Sequence, residues 1–562
     1  MRIGVAEPIP GVLYPSSEDY ERYASVLGQQ TLIGAIEETF RINADRIAIS
    51  QPPITVTHGA LDRITTQWAS ALLRVGLKPL DRVIFQVNNS KELVFALFGC
   101  LKAGLIPICT LASHRQHEIS YLGRHAKARA HIVHGDDQRF DMIDFASRMR
   151  NEIPSLDVSL AVRASDVPPE FHSLDRLAEQ EDIVEARRRV ATVPRDPYQV
   201  VLFQLSGGTS DVPKIIPRFS NEYLYSMQAY IRWRHFDETT VGFTPSPMMH
   251  NAPLLTYWGP VLLAGGEVAI SPNLNLETIS HVLRERRPTW FGMPGVIIHR
   301  LMNAGLLDRA QFAGAVGFSL PNSGAQISQL TGAPVYQQYG MTEGFISACR
   351  RGDSPAVMAA TVGQSYIALD SVKIVKPGTT EPVADGEVGE LIVKGPCTIK
   401  GYFDAPDRDR EAFTPDGYYR SGDLLRLRTI DGKSYLCFEG RIKDVIDRGG
   451  EKINCQEVER IAILNPRIAA IAIVPMPDPH YGERSCAFVI PATRDDLITV
   501  AELGTFLEEK GLAKFKWPER VEIVDEFPMT NSAKLSKPEL RRRIVAQLAQ
   551  ESAQRISAGT AE

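Results

Sequence analysis

Cysteine is scarce and scattered in this chain of 562 residues: seven, at positions 100, 109, 349, 397, 437, 455 and 486, with no C-x-x-C pair and no histidine cluster at ligand spacing. Neither a disulfide framework nor a structural zinc site is indicated, and a reducing cytoplasm is the expected compartment. No charge of one sign predominates, because 62 Lys and Arg against 67 Asp and Glu leave a net −5. Nothing therefore pulls the chain electrostatically toward nucleic acid or an anionic membrane, and its expected partners are small molecules or specific protein surfaces. Long apolar runs are missing too. The most apolar stretch, residues 93–112, is broken by Lys102 and Pro107, short of the roughly 20 residues of a membrane span. Residues 1–15 carry Glu7 and three prolines where a signal peptide would need an unbroken apolar core. No repeat at solenoid spacing is present.

What is present is ordinary globular material, 44% hydrophobic and 23% charged, in a chain too long for one core. Residues 67–75 pattern as a helix ending near Gly76, 81–86 as a strand, 92–103 as a helix stopped by Gly104, and 106–110 as a strand. This alternation is that of a doubly wound α/β sheet. Residues 136–196 are charged and irregular and carry no assignable pattern. Ser220 is the expected N-cap of a helix through Trp233. From about residue 440 the character changes to a small α+β unit. It contains a helix opened by Asn454, strands near 469–474, 487–490 and 521–524, a helix over 500–510 and a basic helix from Lys537. The expected division is an α/β N-terminal region, residues 1–440, and a C-terminal unit, residues 441–562.

Several polar constellations interrupt these patterns. In SGGTSDVPK (residues 206–214), Gly207 and Gly208 permit close backbone approach, and Thr209, Ser210 and Lys214 supply hydroxyls and a point charge able to wrap a polyphosphate. It is not the common P-loop, since Pro213 precedes the lysine and Ile215 follows it; a plain Gly/Ser turn would use the same residues. QYGMTE (residues 338–343) combines an aromatic face, a tight glycine, a hydroxyl and a carboxylate, or else marks an ordinary strand-to-loop junction. DGYYRSGD (residues 416–423) ends in an aspartate suited to a ribose diol, or to a solvated turn. GRIKD (440–444) and RGGEK (448–452) set cations beside flexible glycines, as a linker also would. NSAKLSK (531–537) presents Lys534 on a polar turn.

The order and spacing of these segments resemble the adenylate-forming superfamily of acyl-CoA synthetases, peptide-synthetase adenylation domains and luciferases, over about residues 30–545. LASHRQHEI (111–119) and HNAPLL (250–255) further resemble free-standing aryl-acid ligases that activate 2,3-dihydroxybenzoate or salicylate. The resemblance implies a large N-terminal region of doubly wound α/β subdomains and a small mobile α+β lid. It also implies a two-step reaction, in which a carboxylate attacks the α-phosphate of Mg-ATP and a thiol then takes the acyl group. By the same resemblance Ser206, Gly207, Gly208, Thr209, Ser210 and Lys214 hold the β- and γ-phosphates, Glu343 holds Mg²⁺, and Thr342 meets the α-phosphate. Tyr339 stacks on adenine, beside Gly324. Asp423 and Arg441 take the ribose, with Lys452 also on the nucleotide. Lys534 reaches carboxylate and α-phosphate and, with Thr342 and His250, forms the catalytic set. His250, Asn251, Ala252, Thr256, Gly324, Ala325 and Gly340 line the acid site, and Lys443 is the hinge. Two positions depart from the pattern: Asp211 stands where many relatives have glycine, and Ala533 precedes the terminal lysine.

The expectation is thus an ATP- and Mg²⁺-dependent aryl-acid ligase forming aryl-AMP and then a thioester of coenzyme A or of a separate carrier protein's phosphopantetheine. A benzoate-, anthranilate- or bicyclic-type acid is the alternative within the chemistry. A luciferase-type oxygenase and a non-catalytic ATP-binding protein are the alternatives outside it.

Overall fold

The structure, a computed structural model, describes residues 4–164, 166–206, 213–293, 295–307, 309–312, 317–318, 324–493, 496–530 and 535–559. Two compact units emerge: the first takes residues 1–372, 393–419 and 430–435, the second 373–392, 420–429 and 436–562. The chain therefore passes between units five times, the last at 435/436, where the sequence led us to expect one boundary after 440.

The first unit contains a seven-stranded sheet in the order Phe171–Ser173, Val158–Val162, Ala130–His134, Arg82–Gln86, Ile106–Ile108, Val200–Leu205, Ile215–Phe219. All neighbours are parallel except the last pair, which is antiparallel. Parallel strands need crossovers that cover both faces, so most of these strands are buried along their length rather than alternately. The helix Lys91–Lys102 shows the same logic. It is buried on every side, Ser90 caps it by accepting from the Leu93 amide, and Gly104 at φ +69° ends it. A six-stranded sheet runs Gly317–Phe318, Trp290–Phe291, Val241–Phe243, Glu267–Ala269, Ile47–Gln51, Ile54–Thr57, parallel but for its final pair. A short antiparallel sheet, Gln338–Gly340, Ile346–Ala348 and Gln364–Ser365, completes the unit.

The second unit holds most of each strand of a four-stranded sheet, Ser371–Val375, Gly389–Lys394, Tyr419–Ile430 and Lys433–Arg441. It also holds a five-stranded sheet built on the long hairpin Ile468–Asp478 and Gly482–Pro491. Asn454 caps the helix Cys455–Ala462 by accepting from the Gln456 and Glu457 amides, as the sequence predicts. Thr499 and Glu502 form a capping box on Val500–Glu509.

Three sequence expectations change. Ser220 is the first residue inside Ser220–Arg234 rather than its cap, and its hydroxyl instead accepts from the Leu32 amide at 2.9 Å. The helix expected over 67–75 begins at His58, capped by Thr57. Residues 136–196 are not irregular: they supply two strands of the seven-stranded sheet and the helices Met142–Glu152, Leu174–Glu179 and Ile183–Val190. All seven cysteines are buried, and none is in a disulfide. Among the described residues, no helix is long and apolar enough to cross a membrane.

The seven-stranded sheet carries a buried polar knot. Gln86 donates to the carbonyls of Leu111 and His114 at 3.0 and 2.9 Å, its Oε1 meets His131 Nε2 at 3.0 Å, and its carbonyl meets His134 Nδ1 at 3.2 Å. The LASH segment of residues 111–114 is thereby pinned to two strands. Burial pushes His114 down to about 4 and His131 to about 3, and lowers His134 as well. The unfolded chain takes up these protons near the ordinary value of about 6.5, so the folded state keeps its full advantage above that pH and loses it progressively as pH falls toward 4. Denaturation midpoints in urea are expected to hold between pH 7 and 8 and to fall between pH 6.5 and 4.5. The loss should be on the order of 1 kcal/mol per buried histidine per pH unit. A midpoint flat across that window would show that the imidazoles titrate in the fold.

Candidate active site

The antiparallel pair at the edge of the seven-stranded sheet builds the phosphate-loop candidate. Leu205 faces Ile215, the Ser206 amide donates to the Lys214 carbonyl at 3.0 Å, and the Lys214 amide donates to Ser206 Oγ at 3.2 Å. The loop is pinned at its base. Gly207, Gly208, Thr209, Ser210 and Asp211 lie outside the described residues.

From that base the Lys214 ammonium reaches the Tyr402 hydroxyl at 3.4 Å and lies 4.4 Å from the ring centroid. Tyr402 donates to Glu343 Oε1 at 2.9 Å, and the Tyr419 hydroxyl is 3.0 Å from that of Tyr402. Burial lowers the Lys214 amine and Glu343 only partly restores it. A cation short of compensation in a half-buried site is ready for an anion. Burial, then the Glu343 carboxylate, raise the Tyr402 phenol, which therefore stays a proton donor.

Glu343, 8% exposed, sits with Thr342 at the tip of the hairpin between Gln338–Gly340 and Ile346–Ala348. Two features hold that tip. Gly344 has φ +114°, and a Cβ there would lie 1.7 Å from the Cys397 carbonyl oxygen, so no other residue fits. Arg218, fully buried, donates to the Thr342 carbonyl while pairing with Glu222 through two bonds. Tyr339 stands in the hairpin, its ring tilted against Phe345, and Gly340 is exposed.

The acid-side residues open a helical run over residues 251–263. His250 is its N-cap residue and makes no side-chain cap bond, and Asn251 follows as the first helical residue. A capping role for Asn251, the plain alternative to substrate binding, is thereby removed. Instead Asn251 is 3% exposed, and its Oδ1 accepts from the Tyr223 hydroxyl at 3.0 Å. Asn89 holds the approach to this helix, donating to the Ser246 carbonyl at 2.9 Å and accepting from the Met248 amide at 2.8 Å. The run widens to a π-helix over Leu254–Trp258, and Gly259 closes the bulge, since a Cβ there would lie 2.3 Å from the Leu254 carbonyl oxygen. Ala252 is half-buried. Thr256, expected to line the acid site, has no exposed surface: it donates to the Ala252 carbonyl at 2.7 Å and accepts from Gln338 Nε2 at 3.4 Å. Gln338 thus ties the acid helix to the hairpin of Thr342 and Glu343. Gly324 and Ala325 open the helix Gly324–Thr331.

In the second unit, Asp423 Oδ1 lies 3.4 Å from Arg441 Nε, and the Asp423 amide donates to Ser421 Oγ at 3.0 Å. Lys452 pairs across a two-strand ladder with Asp447 at 2.6 Å, both largely exposed. Lys443 occupies the single turn Ile442–Asp444. Lys534 and Ala533 lie outside the described residues. Sequence reasoning missed Tyr402, Arg218, Glu222, Tyr223, Gln338 and Asn89. Only Gln338 lies inside a segment whose polarity marked it.

Among the described residues no three His, Cys, Asp or Glu side chains converge on one point. Glu343 alone still fits Mg²⁺, an ion held by one or two carboxylates with waters and substrate phosphates completing its shell.

Residues 36–403 match the AMP-binding enzyme family, and residues 457–534 match the C-terminal domain of AMP-binding enzymes. The chain is 34% identical over 514 residues to a 2,3-dihydroxybenzoate-AMP ligase of Bacillus subtilis (strain 168), covering 90% of this chain and 92% of that one. It is 33% identical over 560 residues to a 2-hydroxy-7-methoxy-5-methyl-1-naphthoate--CoA ligase of Streptomyces carzinostaticus, covering 95% and 98%. Among solved structures, apo MbtA of Mycobacterium smegmatis superposes with a TM-score of 0.70 at 28% identity, covering 95% and 98%.

The Arg218–Glu222 pair yields a test of how the hairpin is held. Removing one partner of a buried pair strands the other charge and costs about 3–5 kcal/mol, whereas replacing both by apolar residues is often nearly neutral. Arg218→Met should therefore lower the urea midpoint strongly, and Arg218→Met with Glu222→Leu should recover much of the loss. Equal destabilisation of single and double variants would contradict the pairing.

Proposed function

The chain belongs to the AMP-binding enzyme family and is an adenylate-forming ligase, and from that premise we propose that it activates an aryl carboxylic acid bearing a hydroxyl ortho to the carboxylate. The observation that carries this reading is Asn251, a buried amide that caps nothing, at the head of a helix tied through Thr256 and Gln338 to the hairpin of Thr342 and Glu343. Fatty and amino acids have no group to satisfy such an amide. The relatives' names support the reading, since 2,3-dihydroxybenzoate and the 2-hydroxynaphthoate both carry that hydroxyl. The small Ala252 suits a substituted or fused ring.

In the proposed reaction a carboxylate oxygen bonds to the α-phosphorus of ATP as the bond to pyrophosphate breaks. A thiol, of coenzyme A or of carrier-borne phosphopantetheine, then attacks the acyl carbon and AMP departs. Bringing one anion to another needs donors aimed at charge that develops in the transition state. Ser206, Lys214 and the loop between them take the β- and γ-phosphates, with Tyr402 holding Lys214 and Glu343 in register. Thr342 donates to the α-phosphate. Glu343 would hold Mg²⁺, which when bound neutralises phosphate charge. Tyr339 and Gly324 flank the adenine, Asp423 accepts from the ribose with Arg441 beside it, and Lys452 adds a further cation. His250 heads the acid site beside Asn251, with Ala325 and Gly340 as its small-residue walls, and Lys534 supplies an ammonium to carboxylate and α-phosphate. Lys443 is the hinge that lets the second unit serve both half-reactions. ATP, Mg²⁺ and the thiol are the cofactors this scheme needs, and no nucleic acid or membrane enters it.

Exchange of labelled pyrophosphate into ATP, measured with benzoate, salicylate, 2,3-dihydroxybenzoate and 3-hydroxy-2-naphthoate, tests the substrate. An unpaired buried amide costs about 1–3 kcal/mol, so ortho-hydroxy acids should exceed benzoate by about ten- to a hundredfold, and Asn251→Leu should collapse that ratio. Benzoate equal to salicylate in the parent would leave only the broader ligase reading standing.

Lys534→Ala should slow adenylation by about 10²- to 10³-fold, the scale of one preorganised electrostatic group, while thioester formation from supplied aryl-AMP persists. Equal loss in both half-reactions would make the lysine structural.

A further inference from the structure

The Asn251 side chain does not choose its own orientation. Its Oδ1 is taken by the Tyr223 hydroxyl at 3.0 Å, and among the described residues the amide nitrogen makes no hydrogen bond. Tyr223 has no exposed surface. Its ring lies 5.2 Å from the Arg218 guanidinium carbon. The phenol commits its one hydrogen to the Asn251 oxygen. The amide is therefore locked with its oxygen inward and its N–H groups left for another partner.

Resting on the reading of Asn251 as the acid-binding amide, we propose that Tyr223 is a positioning residue that sets acid selectivity: the Asn251 orientation it imposes accepts ortho-hydroxy acids and rejects ortho-amino acids. The chemistry of the two substituents makes the distinction. In an ortho-hydroxybenzoate the single hydroxyl hydrogen is committed to the neighbouring carboxylate, so the group faces outward with an oxygen lone pair, which an amide N–H satisfies. In an ortho-aminobenzoate one N–H serves the carboxylate and the second faces outward, while the nitrogen lone pair is delocalised into the ring. That group needs an acceptor, and Tyr223 has already taken the one Asn251 possesses. Two donors facing each other in a dry site leave both unpaired.

The test is kcat/KM for salicylate, anthranilate and benzoate by pyrophosphate exchange in the parent, in Tyr223→Phe and in Asn251→Asp. The parent should favour salicylate over anthranilate by at least about tenfold. Tyr223→Phe frees the amide to rotate, so that ratio should fall about tenfold, through a rise for anthranilate, while benzoate, with no ortho group, changes less than about twofold. Asn251→Asp keeps an oxygen for Tyr223 and turns a second one outward, so anthranilate should overtake salicylate. An unchanged salicylate-to-anthranilate ratio in folded Tyr223→Phe overturns the proposal, as does an equal fall for all three acids, which marks a purely structural tyrosine. Should the phenylalanine variant not fold, Asn251→Asp decides alone: reversal supports the lock and an unchanged order overturns it. Equal rates with salicylate and benzoate in the parent would instead remove the Asn251 reading beneath this one, a failure visible before any variant is made.

Discussion

A single buried cation organises the first unit. Arg218 has no exposed surface, and burial works against its charge, but Glu222 beside it outweighs burial and holds the guanidinium protonated. A buried ion pair survives only where its remaining donors are satisfied. Arg218 meets that demand with the carbonyls of Thr342 and Cys397 and the face of Tyr223. Each of these partners belongs to a different part of the site. Thr342 sits with Glu343 at the hairpin tip, the Cys397 carbonyl abuts Gly344 beside them, and the Tyr223 hydroxyl donates to Asn251. One guanidinium thus contacts the hairpin tip, the carbonyl beside it and the tyrosine that bonds Asn251.

The second constraint is charge left uncompensated. Lys214, Tyr402, Tyr419 and Glu343 form a compact chain in which the cation is desolvated more than Glu343 repays. Such a chain is poised for an anion that brings its own cation, which describes a metal-bound polyphosphate. Tyr402 keeps lysine and carboxylate from collapsing onto each other by standing between them as donor to one and acceptor from the other.

Much of this was legible in the sequence because adenylate chemistry puts glycines, hydroxyls and charges together in loops, where they interrupt the apolar pattern. SGGTSDVPK, QYGMTE and DGYYRSGD stood out for that reason, and the Asn454 cap follows from local capping alone. Arg218 and Tyr223 were not legible. Arg218 lies in a strand that no motif marks and Tyr223 inside an expected helix, and their contacts exist only once the hairpin and the helical run from Asn251 are packed against them. Tyr402 is one aromatic among many until Lys214 and Glu343 arrive from elsewhere in the chain. Ser220 misled because its type suits a cap, whereas the hydroxyl serves a distant amide. Residues 136–196 hid their strands because those are short and flanked by helices with charged surfaces.

The claim at the centre of this account is that Arg218 holds nucleotide hairpin and acid helix in register. It is tested most directly by calorimetric titration of a hydrolysis-resistant salicyl-adenylate analogue into the parent and into the Arg218→Met, Glu222→Leu double variant. The account predicts one site in each and at least a tenfold weaker Kd in the double variant, because both halves of the ligand lose their fixed donors. An unchanged Kd in a folded double variant would contradict it.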